Sequence, residues 1–356
     1  PAFHVRAAEI AASLDDSRLA GQVLLTGLDG NGTLPPAMES LLRDISPGGV
    51  MLFRMNLNMN RERVVAFLKT VSGLASVSIG DTAAIPPFLA ADHEGGVVHR
   101  FAAGVERLPP PLSYWELAQK DGREFALRKI EEDAARSGAE IRGLGISLNL
   151  APVAEILNDE NSAFLGDRSY GPDSAFVAEA SAAFIRGMSA AGLPCVVKHF
   201  PGNSAEDPHS AVSVLTGDRE TLDKNVLPLA RLIEQDLAAG VMVSHAVASA
   251  WDPGVNASRS RPVVSVWLRQ NLGFSGMVLG DDFSMGAISA AGLREEDAVI
   301  EALNAGVDMV MAWPRSLGRL HRAVLGALKD GRLTRERLEE AAARILREKL
   351  RWRIIR

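Results

Sequence analysis

Six residues that could do chemistry stand near the ends of short apolar runs in the sequence. They are Asp92, Asn149, Lys198, His199, His245 and Asp281. Carboxylates can act as nucleophiles or as general acids and bases, while lysine and histidine side chains donate hydrogen bonds or protons. Because core strands would otherwise end in ordinary turn residues, this clustering predicts a catalytic or binding site.

The apolar runs themselves predict eight buried parallel strands, with connections long enough for helices. They are QVLLT ending at Thr26, GVMLF ending at Phe53, FLAAD ending at Asp92, ISLNL ending at Leu150, CVVKH ending at His199, VMVSH ending at His245, MVLGD ending at Asp281 and DMVMA ending at Ala312. Such a series in 356 residues predicts an α/β fold, a single (β/α)8 TIM-type barrel spanning 1–356. In that fold the active site lies at the C-terminal ends of the strands, where the six side chains would meet.

Two segments show the periodicity of helices that would cover such a barrel. The first repeats large and small apolar residues every four positions before Gly192: Phe176, Ala180, Phe184 and Met188. The second, predicted over 334–350 with Thr334 as N-cap, would pack on the barrel through Leu338, Ala342, Ile345 and Leu346 and turn its arginines and glutamates to solvent. A doubly wound open sheet is an alternative, although no G-x-G-x-x-G follows the first strand.

Composition limits the classes of function that the chain can have. Its formal net charge is -6 and no run of lysine and arginine alternates with aromatic residues, which disfavours nucleic-acid binding. Cys195 is the single cysteine, so an internal disulfide is excluded and a small apolar core residue is expected. A cytoplasmic location is therefore expected, with an exported protein that has lost its leader as the alternative. No apolar run approaches the ~20 residues that span a bilayer.

The segment VVKHFPGNSAEDPHS, residues 196–210, resembles glycoside hydrolase family 3, in particular its NagZ-type β-N-acetylglucosaminidases, which carry K-H-F-P-G followed by a loop with D-S-H. Further motifs of the family occur in order, from about residue 20 to residue 315: GGVMLF, DHEGGVVHRF, NLAPVAEI, GDRSYG, VMVSHA, LGFSG and GDDFSMGA. The combination is much more specific than any one motif.

The resemblance implies a retaining glycosidase that removes terminal β-linked GlcNAc without a metal or another cofactor. It places the nucleophile at Asp281 and an acid/base pair at His209 and Asp207. The substrate-binding residues of the family fall on Asp92, Arg100, Arg168, Lys198 and His199. Retaining hydrolysis needs a carboxylate and a proton donor, and an aspartate beside a histidine favours the imidazolium that donates. The loop position of the pair predicts a lid over bound sugar.

Three positions differ from the usual family motifs. Pro208 turns D-S-H into D-P-H, which stiffens the loop and removes an amide donor. Val97 stands where an arginine is common, and Gly280 stands where a serine precedes the nucleophile. None of these changes removes a catalytic group, but they could alter loop movement, affinity or substrate choice.

Four residues near the motifs have interpretations of their own. We expect Asp282 to cap the turn that follows it. We expect Glu94 to make a structural bond within the tight E-G-G turn, with a second sugar ligand as the alternative. His245 has either a structural or a functional role. Trp313 either stacks on a sugar face or fills the barrel mouth.

Other functions remain open at the level of sequence. A β-glucosidase or an N-acetylglucosaminide phosphorylase of the same family fits the same motifs, and a non-catalytic sugar-binding protein is a more distant alternative. A metal-dependent hydrolase and a Schiff-base lyase using Lys198 are disfavoured by ligand spacing and by the motifs. The expected partner is a small carbohydrate, either a muropeptide fragment or a chitin oligosaccharide, and the expected assembly is a monomer or a simple homodimer.

Overall fold

The computed structural model describes residues 2–79, 83–206 and 211–355, and its centre is a sheet of eight parallel strands. In chain order these are β1 Leu24–Thr26, β2 Gly49–Leu52, β3 Phe88–Ala91, β4 Leu148–Asn149, β5 Val196–Phe200, β6 Gly240–Val243, β7 Met277–Asp282 and β8 Met309–Ala312. Each corresponds to one of the predicted apolar runs, with ends that differ by a residue or two. Continuous apolar runs form these strands because both faces of each strand are buried.

The sheet closes into a barrel. Every strand pairs in parallel with the next in the chain, and β8 pairs with β1. The pair β4 and β5 is joined by parallel bridges between Asn149 and Cys195 and between Val153 and Lys198. Because no open edge remains between these strands, the (β/α)8 barrel is confirmed and the alternative of a doubly wound open sheet is wrong.

Helices occupy most of the connections between strands. They are Ala2–Ser13, Asp16–Gln22, Pro36–Ile45, Arg54–Leu57, Arg61–Ala75, Pro111–Asp121, Arg123–Leu144, Ser162–Leu165, Ser174–Ala190, Arg219–Asn225, Leu227–Glu234, Gly286–Ala290, Glu295–Ala305, Pro314–Asp330 and Arg335–Arg351. Short 3-10 turns cover Gly166–Arg168 and Ala257–Arg259, and Pro262–Asn271 is a π-helix. None of these described helices combines the length and apolarity needed to cross a membrane.

Three small strand pairs lie outside the eight-stranded sheet of the barrel. Val77–Ile79 pairs with Ala83–Ile85, His93–Gly95 forms a hairpin with Val98–His99, and Val214–Leu215 lies parallel to Val247–Ala248. The hairpin and the last pair follow barrel strands β3, β5 and β6 at their C-terminal ends. They therefore build up the mouth of the barrel, where its loops carry the site.

Apolar residues form two layers separated by the barrel wall. One cluster fills the barrel interior and contains Leu25, Met51, Phe88, Ala90, Leu148, Leu150, Val196, Met242, Met277, Leu279, Met309 and Met311. Neighbouring strand residues such as Leu24, Val50 and Val197 belong to a second cluster, which the strands share with the surrounding helices. This alternation is the two-residue period of a strand with both faces buried. Cys195 belongs to the outer cluster, as expected of a small apolar residue.

The helix Arg335–Arg351 closes the bottom of the barrel, at the N-terminal ends of the strands. Thr334 caps it as predicted, by accepting a hydrogen bond from the Arg337 amide. Ile345 joins the cluster inside the barrel. The expectation that the arginines and glutamates of this helix face solvent is wrong for Arg347 and Glu348, which are buried, as is Lys349. They are buried because the helix covers the barrel opening in addition to its wall.

Two ionisable side chains are buried at this bottom end, Lys349 with a neutral partner and Asp308 with three arginines. Lys349 is fully buried, where its ammonium donates to Gln22 Oε1 at 3.1 Å and lies 5.4 Å from the centre of the Phe88 ring. Asp308, at the start of β8, accepts the Val278 amide at 3.0 Å and forms ion pairs with three arginines: Arg269 at 2.6 Å, Arg337 at 3.1 Å and Arg344 at 3.0 Å. These arginines tie Asp308 to the π-helix and to the helix Arg335–Arg351.

Candidate active site

A cavity at the C-terminal ends of the strands brings the predicted site residues together. It measures about 280 Å³, and six of the residues named from the sequence line it: Asp92, Arg100, Arg168, Lys198, His199 and Asp281. Phe53, Met242 and Trp313 belong to its apolar wall. Charged groups set in an apolar cleft are typical of a small-ligand site. The other two predicted residues, Asp207 and His209, lie outside the described residues.

Five of the charges in this cavity form one chain of ion pairs. Arg100 Nη2 donates to Asp92 Oδ2 at 2.9 Å, and Asp92 Oδ1 accepts from Lys198 Nζ at 2.8 Å. Lys198 Nζ also lies 2.7 Å from Glu94 Oε1, and Arg168 binds Glu94 through Nε at 2.7 Å and Nη2 at 2.9 Å. The expectation that Glu94 makes a structural bond within its E-G-G turn is corrected, because its described hydrogen bonds and ion pairs go to Lys198 and Arg168. Its carboxylate connects the loop after β3 to β5 and to the 3-10 turn Gly166–Arg168.

The neighbours in this chain keep each group ionised. Burial by itself would lower the pKa of Lys198, but the carboxylates of Asp92 and Glu94 raise it above its ordinary value. Burial likewise opposes ionisation of Asp92, yet Lys198 and then Arg100 lower its pKa. The pKa of Glu94 is also lowered against the effect of burial, by Lys198 and Arg168. This chain of ion pairs thus holds three cations and two anions near neutral pH.

The ion pairs leave hydrogen-bonding groups unused. An ammonium has three N–H donors and a guanidinium has five, so Lys198 and Arg168 keep donors that Glu94 and Asp92 do not occupy. The two carboxylates keep acceptor sites in the same way. Charge-assisted hydrogen bonds of this kind are stronger than neutral ones, and their alternating signs suit a neutral molecule with many hydroxyl groups.

His199 is held from behind by a carboxylate that sequence reasoning did not single out. Glu155 Oε1 lies 2.6 Å from His199 Nδ1, and its Oε2 accepts the Asn203 amide at 2.7 Å. Asn203 Nδ2 also donates to Glu155 Oε1 at 3.1 Å. Glu155 stands in the NLAPVAEI motif, in the loop that follows β4. Its place in that motif was the one indication in the sequence that it could belong to the site. The bond leaves the other ring nitrogen, Nε2, as the one that can reach the cavity.

Two adjacent aspartates at the end of β7 have different surroundings. Asp281 Oδ1 accepts the Asp282 amide at 2.8 Å, and its other oxygen has no hydrogen-bond partner within the described part of the chain. Asp282 uses both oxygens: Oδ1 accepts the Ser284 amide at 2.8 Å and Oδ2 accepts Trp313 Nε1 at 2.6 Å. Asp282 therefore caps its turn, as predicted, and also fixes the indole. Of these two carboxylates, Asp281 is the one with an oxygen that has no hydrogen-bond partner among the described residues.

His245 and Asn149 do not line the cavity, although both stand at the C-terminal ends of barrel strands as predicted. The His245 ring is fully buried, with Nε2 3.0 Å from the Asp282 carbonyl oxygen and Nδ1 2.7 Å from Ser258 Oγ. Because a carbonyl only accepts, Nε2 carries the proton and Nδ1 accepts from the serine. Burial lowers the pKa of His245 despite the nearby Asp281, so the ring stays neutral. Asn149 bonds the backbone of His93 at 3.0 and 3.2 Å.

Two departures from the family motifs have a structural explanation. Val97 is 73% exposed at the tip of the hairpin after β3, where a change of side chain is tolerated, and its neighbour Val98 lines the cavity. At Gly280 an added Cβ would lie 2.5 Å from Cε2 of the buried Phe283, whose ring packs edge-on against His245. A side chain at 280 would displace that ring. The third departure, Pro208, lies outside the described residues.

The loop that carries the predicted acid/base pair is fixed at its base. The Ser213 hydroxyl accepts the Ser204 amide at 2.8 Å and lies 2.8 Å from the Ser204 hydroxyl. Ser213 is fully buried. Asn203 anchors the same end of the loop to Glu155, beside His199. In the ranges 2–79, 83–206 and 211–355, no group of three or more His, Cys, Asp or Glu side chains is arranged to hold a metal ion.

The chain is similar in sequence to proteins that share one name. The family description "Glycosyl hydrolase family 3 N terminal domain" matches residues 28–348. A "Beta-hexosaminidase" of Xylella fastidiosa (strain M12) is 34% identical over 292 residues, which cover 81% of this chain and 82% of the relative. A "Beta-hexosaminidase" of Thioalkalivibrio sulfidiphilus (strain HL-EbGR7) is 33% identical over 312 residues, covering 85% and 84%.

Solved structures share the fold over nearly the whole chain. A glycoside hydrolase family 3 beta-N-acetylglucosaminidase from Paenibacillus sp. str. FPU-7 superimposes with a TM-score of 0.87 at 29% identity, covering 96% of this chain and 63% of that one. A Beta-N-acetylhexosaminidase from Beutenbergia cavernae DSM 12333 has a TM-score of 0.81 at 29% identity, covering 94% and 98%. This chain thus spans less than two thirds of the first structure and nearly all of the second.

Proposed function

The chain belongs to glycosyl hydrolase family 3 and is a glycoside hydrolase, and we propose that it is a retaining exo-β-N-acetylglucosaminidase acting on terminal β-linked GlcNAc. The observation that carries the proposal is the Asp281 carboxylate, which has one oxygen without a hydrogen-bond partner among the described residues and lines the same cavity as the ion-paired Asp92, Glu94 and Lys198. The names of its relatives support the N-acetylated sugar as the preferred substrate.

Asp281 is the proposed nucleophile. Attack on the anomeric carbon forms a covalent glycosyl–aspartate with expulsion of the leaving-group alcohol, and water then releases the sugar with net retention of configuration. The Asp282 amide bound to Asp281 Oδ1 orients the carboxylate and leaves Oδ2 to form the new bond. Because Asp281 ends a barrel strand, its position is set by the most rigid part of the fold.

The ion-paired residues are the proposed sugar-binding groups. Lys198 and Arg168 offer their remaining N–H donors, and Asp92 its remaining acceptor sites, to ring hydroxyls. Because the partners are already ionised and fixed by one another, binding a hydroxyl requires little rearrangement. His199, oriented by Glu155, adds a donor or acceptor through Nε2. Arg100 completes this group next to Asp92.

The acid/base pair His209 and Asp207 remains part of the proposal. The described ends of its loop support it, since Ser213 is fixed beside Ser204 and Asn203. A carboxylate partner favours imidazolium, the form that protonates the leaving oxygen. We further propose that this loop makes a second domain unnecessary for catalysis.

The proposal is tested by trapping the covalent intermediate. A 5-fluoro β-N-acetylglucosaminide should label the protein, and peptide mass spectrometry should place the sugar on the fragment that contains Asp281. The unlabelled reaction should release GlcNAc from an aryl N-acetyl-β-D-glucosaminide much faster than glucose from the matching β-glucoside, with or without phosphate. A label on another carboxylate, or a sugar phosphate as product, contradicts the proposal.

A further inference from the structure

The hairpin after β3, which pairs His93–Gly95 with Val98–His99, has two different sides. Four residues in and beside it line the cavity that contains Asp281: Asp92, Glu94, Val98 and Arg100. Successive side chains of a strand point to opposite sides, and His93 and His99 lie directly opposite each other in the register of the hairpin. The two histidines therefore form the back of a structure whose front carries the proposed sugar-binding groups.

These two histidines belong to a buried cluster of rings. Their ring centroids are 5.3 Å apart, and the Phe101 ring packs edge-on against His93 at 5.6 Å and against His99 at 5.8 Å. His93 Nε2 lies 2.8 Å from Ser137 Oγ, on the helix that precedes β4. The Asn149 side chain, at the end of β4, binds the backbone of His93. The cluster thus connects the hairpin to a helix and to a barrel strand through neutral partners.

The surroundings of the two rings keep both of them neutral. The Nδ1 atoms of His93 and His99 are buried and have no hydrogen-bond partner among the residues that the structure describes. Burial and then His99 lower the pKa of His93 to about 3, against the effect of Glu94. Burial, Arg107 and Arg54 lower the pKa of His99, although a backbone hydrogen bond favours its charged form. A proton on either ring is therefore stabilised when the ring reaches water.

We propose that His93 and His99 are positioning residues that hold the hairpin in place while both rings are neutral, so that protonation opens the hairpin and withdraws Glu94 and Arg100 from the cavity. The rings act through the residues on the opposite side of the hairpin, because neither ring lines the cavity. Between pH 6.5 and pH 3 an opened hairpin binds more protons than the closed one, so acid favours opening. The effect on activity rests on the proposed function, whereas the opening itself does not.

Native-state hydrogen exchange measures the opening directly. Wild type is compared at pH 7.5 and pH 4.5 with the double variant His93→Gln/His99→Gln, whose side chains are polar but do not titrate. After correction for the intrinsic exchange rate, the protection of the amides in 93–99 is expected to fall about 100-fold in wild type, the effect of one proton taken up at a histidine with its ordinary pKa. The double variant should show little of this fall. His321→Gln, which changes a buried histidine on the helix Pro314–Asp330, should behave as wild type.

Steady-state kinetics with an aryl N-acetyl-β-D-glucosaminide measure the effect on the site. The ratio of KM at pH 4.5 to KM at pH 7.5 should be several-fold larger in wild type than in the double variant, whereas the pH profile of kcat should be the same in both. An equal fall of hairpin protection in the two proteins overturns the proposal, and so does an equal ratio of KM. If the double variant does not fold, His99→Gln, which should give intermediate values, decides by the same criteria. A wild type that does not hydrolyse the substrate contradicts the proposed function, and hydrogen exchange still decides the role of the histidines.

Discussion

The two ends of the barrel each bury a lysine, and the surroundings of the two lysines are opposite. At the mouth, Lys198 lies between the carboxylates of Asp92 and Glu94 at 2.8 and 2.7 Å, which raise its pKa above the ordinary value. At the bottom, Lys349 has one neutral partner, Gln22, and burial lowers its pKa to about 7. One ammonium is charged and fixed, whereas the other is half deprotonated near neutral pH.

The difference shows how the two ends divide their roles. A buried charge that is paired on both sides can still offer unused donors to a ligand, which fits the sugar-binding role proposed for the mouth. The buried amine of Lys349, which lies beside an amide and an aromatic ring, lowers the stability of the folded protein and does not line the cavity. Substitutions at the mouth should therefore change activity, and substitutions at the bottom should change stability.

The largest expected effect is on activity at the mouth. Asp281→Asn keeps the shape of the side chain but removes the negative charge, so kcat/KM for an aryl N-acetylglucosaminide should fall at least about 10³-fold. The free energy of unfolding should change little, because Asp281 makes one hydrogen bond within the described structure. Steady-state kinetics and urea unfolding check the two parts. Activity within tenfold of wild type would remove Asp281 from the mechanism.

The matching substitution at the bottom is Asp308→Asn. It leaves Arg269, Arg337 and Arg344 without their shared carboxylate, whose pKa those arginines lower despite burial. Breaking a buried ion-pair cluster typically costs about 3–5 kcal/mol of unfolding free energy. Urea denaturation measures the loss, and kcat at a temperature where the variant is folded should stay close to wild type. An Asp308→Asn variant that is as stable as wild type but inactive would contradict the assignment of activity to the mouth and of stability to the bottom of the barrel.

A pair of lysine substitutions tests the comparison directly. Lys349→Met replaces a poorly paired amine by an apolar side chain of similar length, so the unfolding free energy at pH 7 should rise by about 1–4 kcal/mol. Lys198→Met, the matched control at the mouth, removes the cation that Asp92 and Glu94 share, leaves each carboxylate with one arginine, and should lower stability and activity together. If the unfolding free energy changed by the same amount and in the same direction in both variants, the different surroundings of the two lysines would not explain their contributions to stability.

The smallest expected effect is a pH dependence of the Lys349 contribution. In the folded protein its pKa is about 7, below the ordinary value of 10.5, so the unfolded chain binds more protons between these two values. The cost of burying Lys349 is complete below pH 7 and disappears as the pH rises toward 10.5. The stability difference between Lys349→Met and wild type should therefore shrink by up to about 1.4 kcal/mol per pH unit above pH 7. Urea unfolding at pH 6, 7.5 and 9 measures it, and a constant difference would contradict the lowered pKa.

Much of the fold was predictable because buried parallel strands leave continuous apolar runs, and all eight runs became strands. The positions of Asp92, Lys198 and Asp281 followed from strand ends, which converge in a closed barrel. The ion-pair partners of these residues could not be predicted in this way, because they come from loops that are distant in the sequence. Glu94 reaches Arg168, which lies 74 residues further along the chain, and Glu155 reaches His199 over 44 residues.

Other features could not be predicted from the sequence, because a helical pattern does not show which part of the protein packs against the helix. The charged residues of Arg335–Arg351 suggested a solvated face, yet Lys349 is buried because the helix covers the barrel opening. His245 has the same sequence context as His199, at the end of an apolar run. Its ring turns instead to Ser258 and the Asp282 carbonyl, which no spacing rule indicates.

Closure of the barrel bottom by the helix Arg335–Arg351 has a consequence for synthesis on the ribosome. Ile345 and Lys349 seal an interior whose first strand, β1, is made more than three hundred residues earlier. A nascent chain that has completed β8 still exposes the lower rim of apolar side chains, including Phe88 and Met277. Such surface is prone to association until it is covered, so chaperone demand should persist until the final turns of that helix leave the exit tunnel.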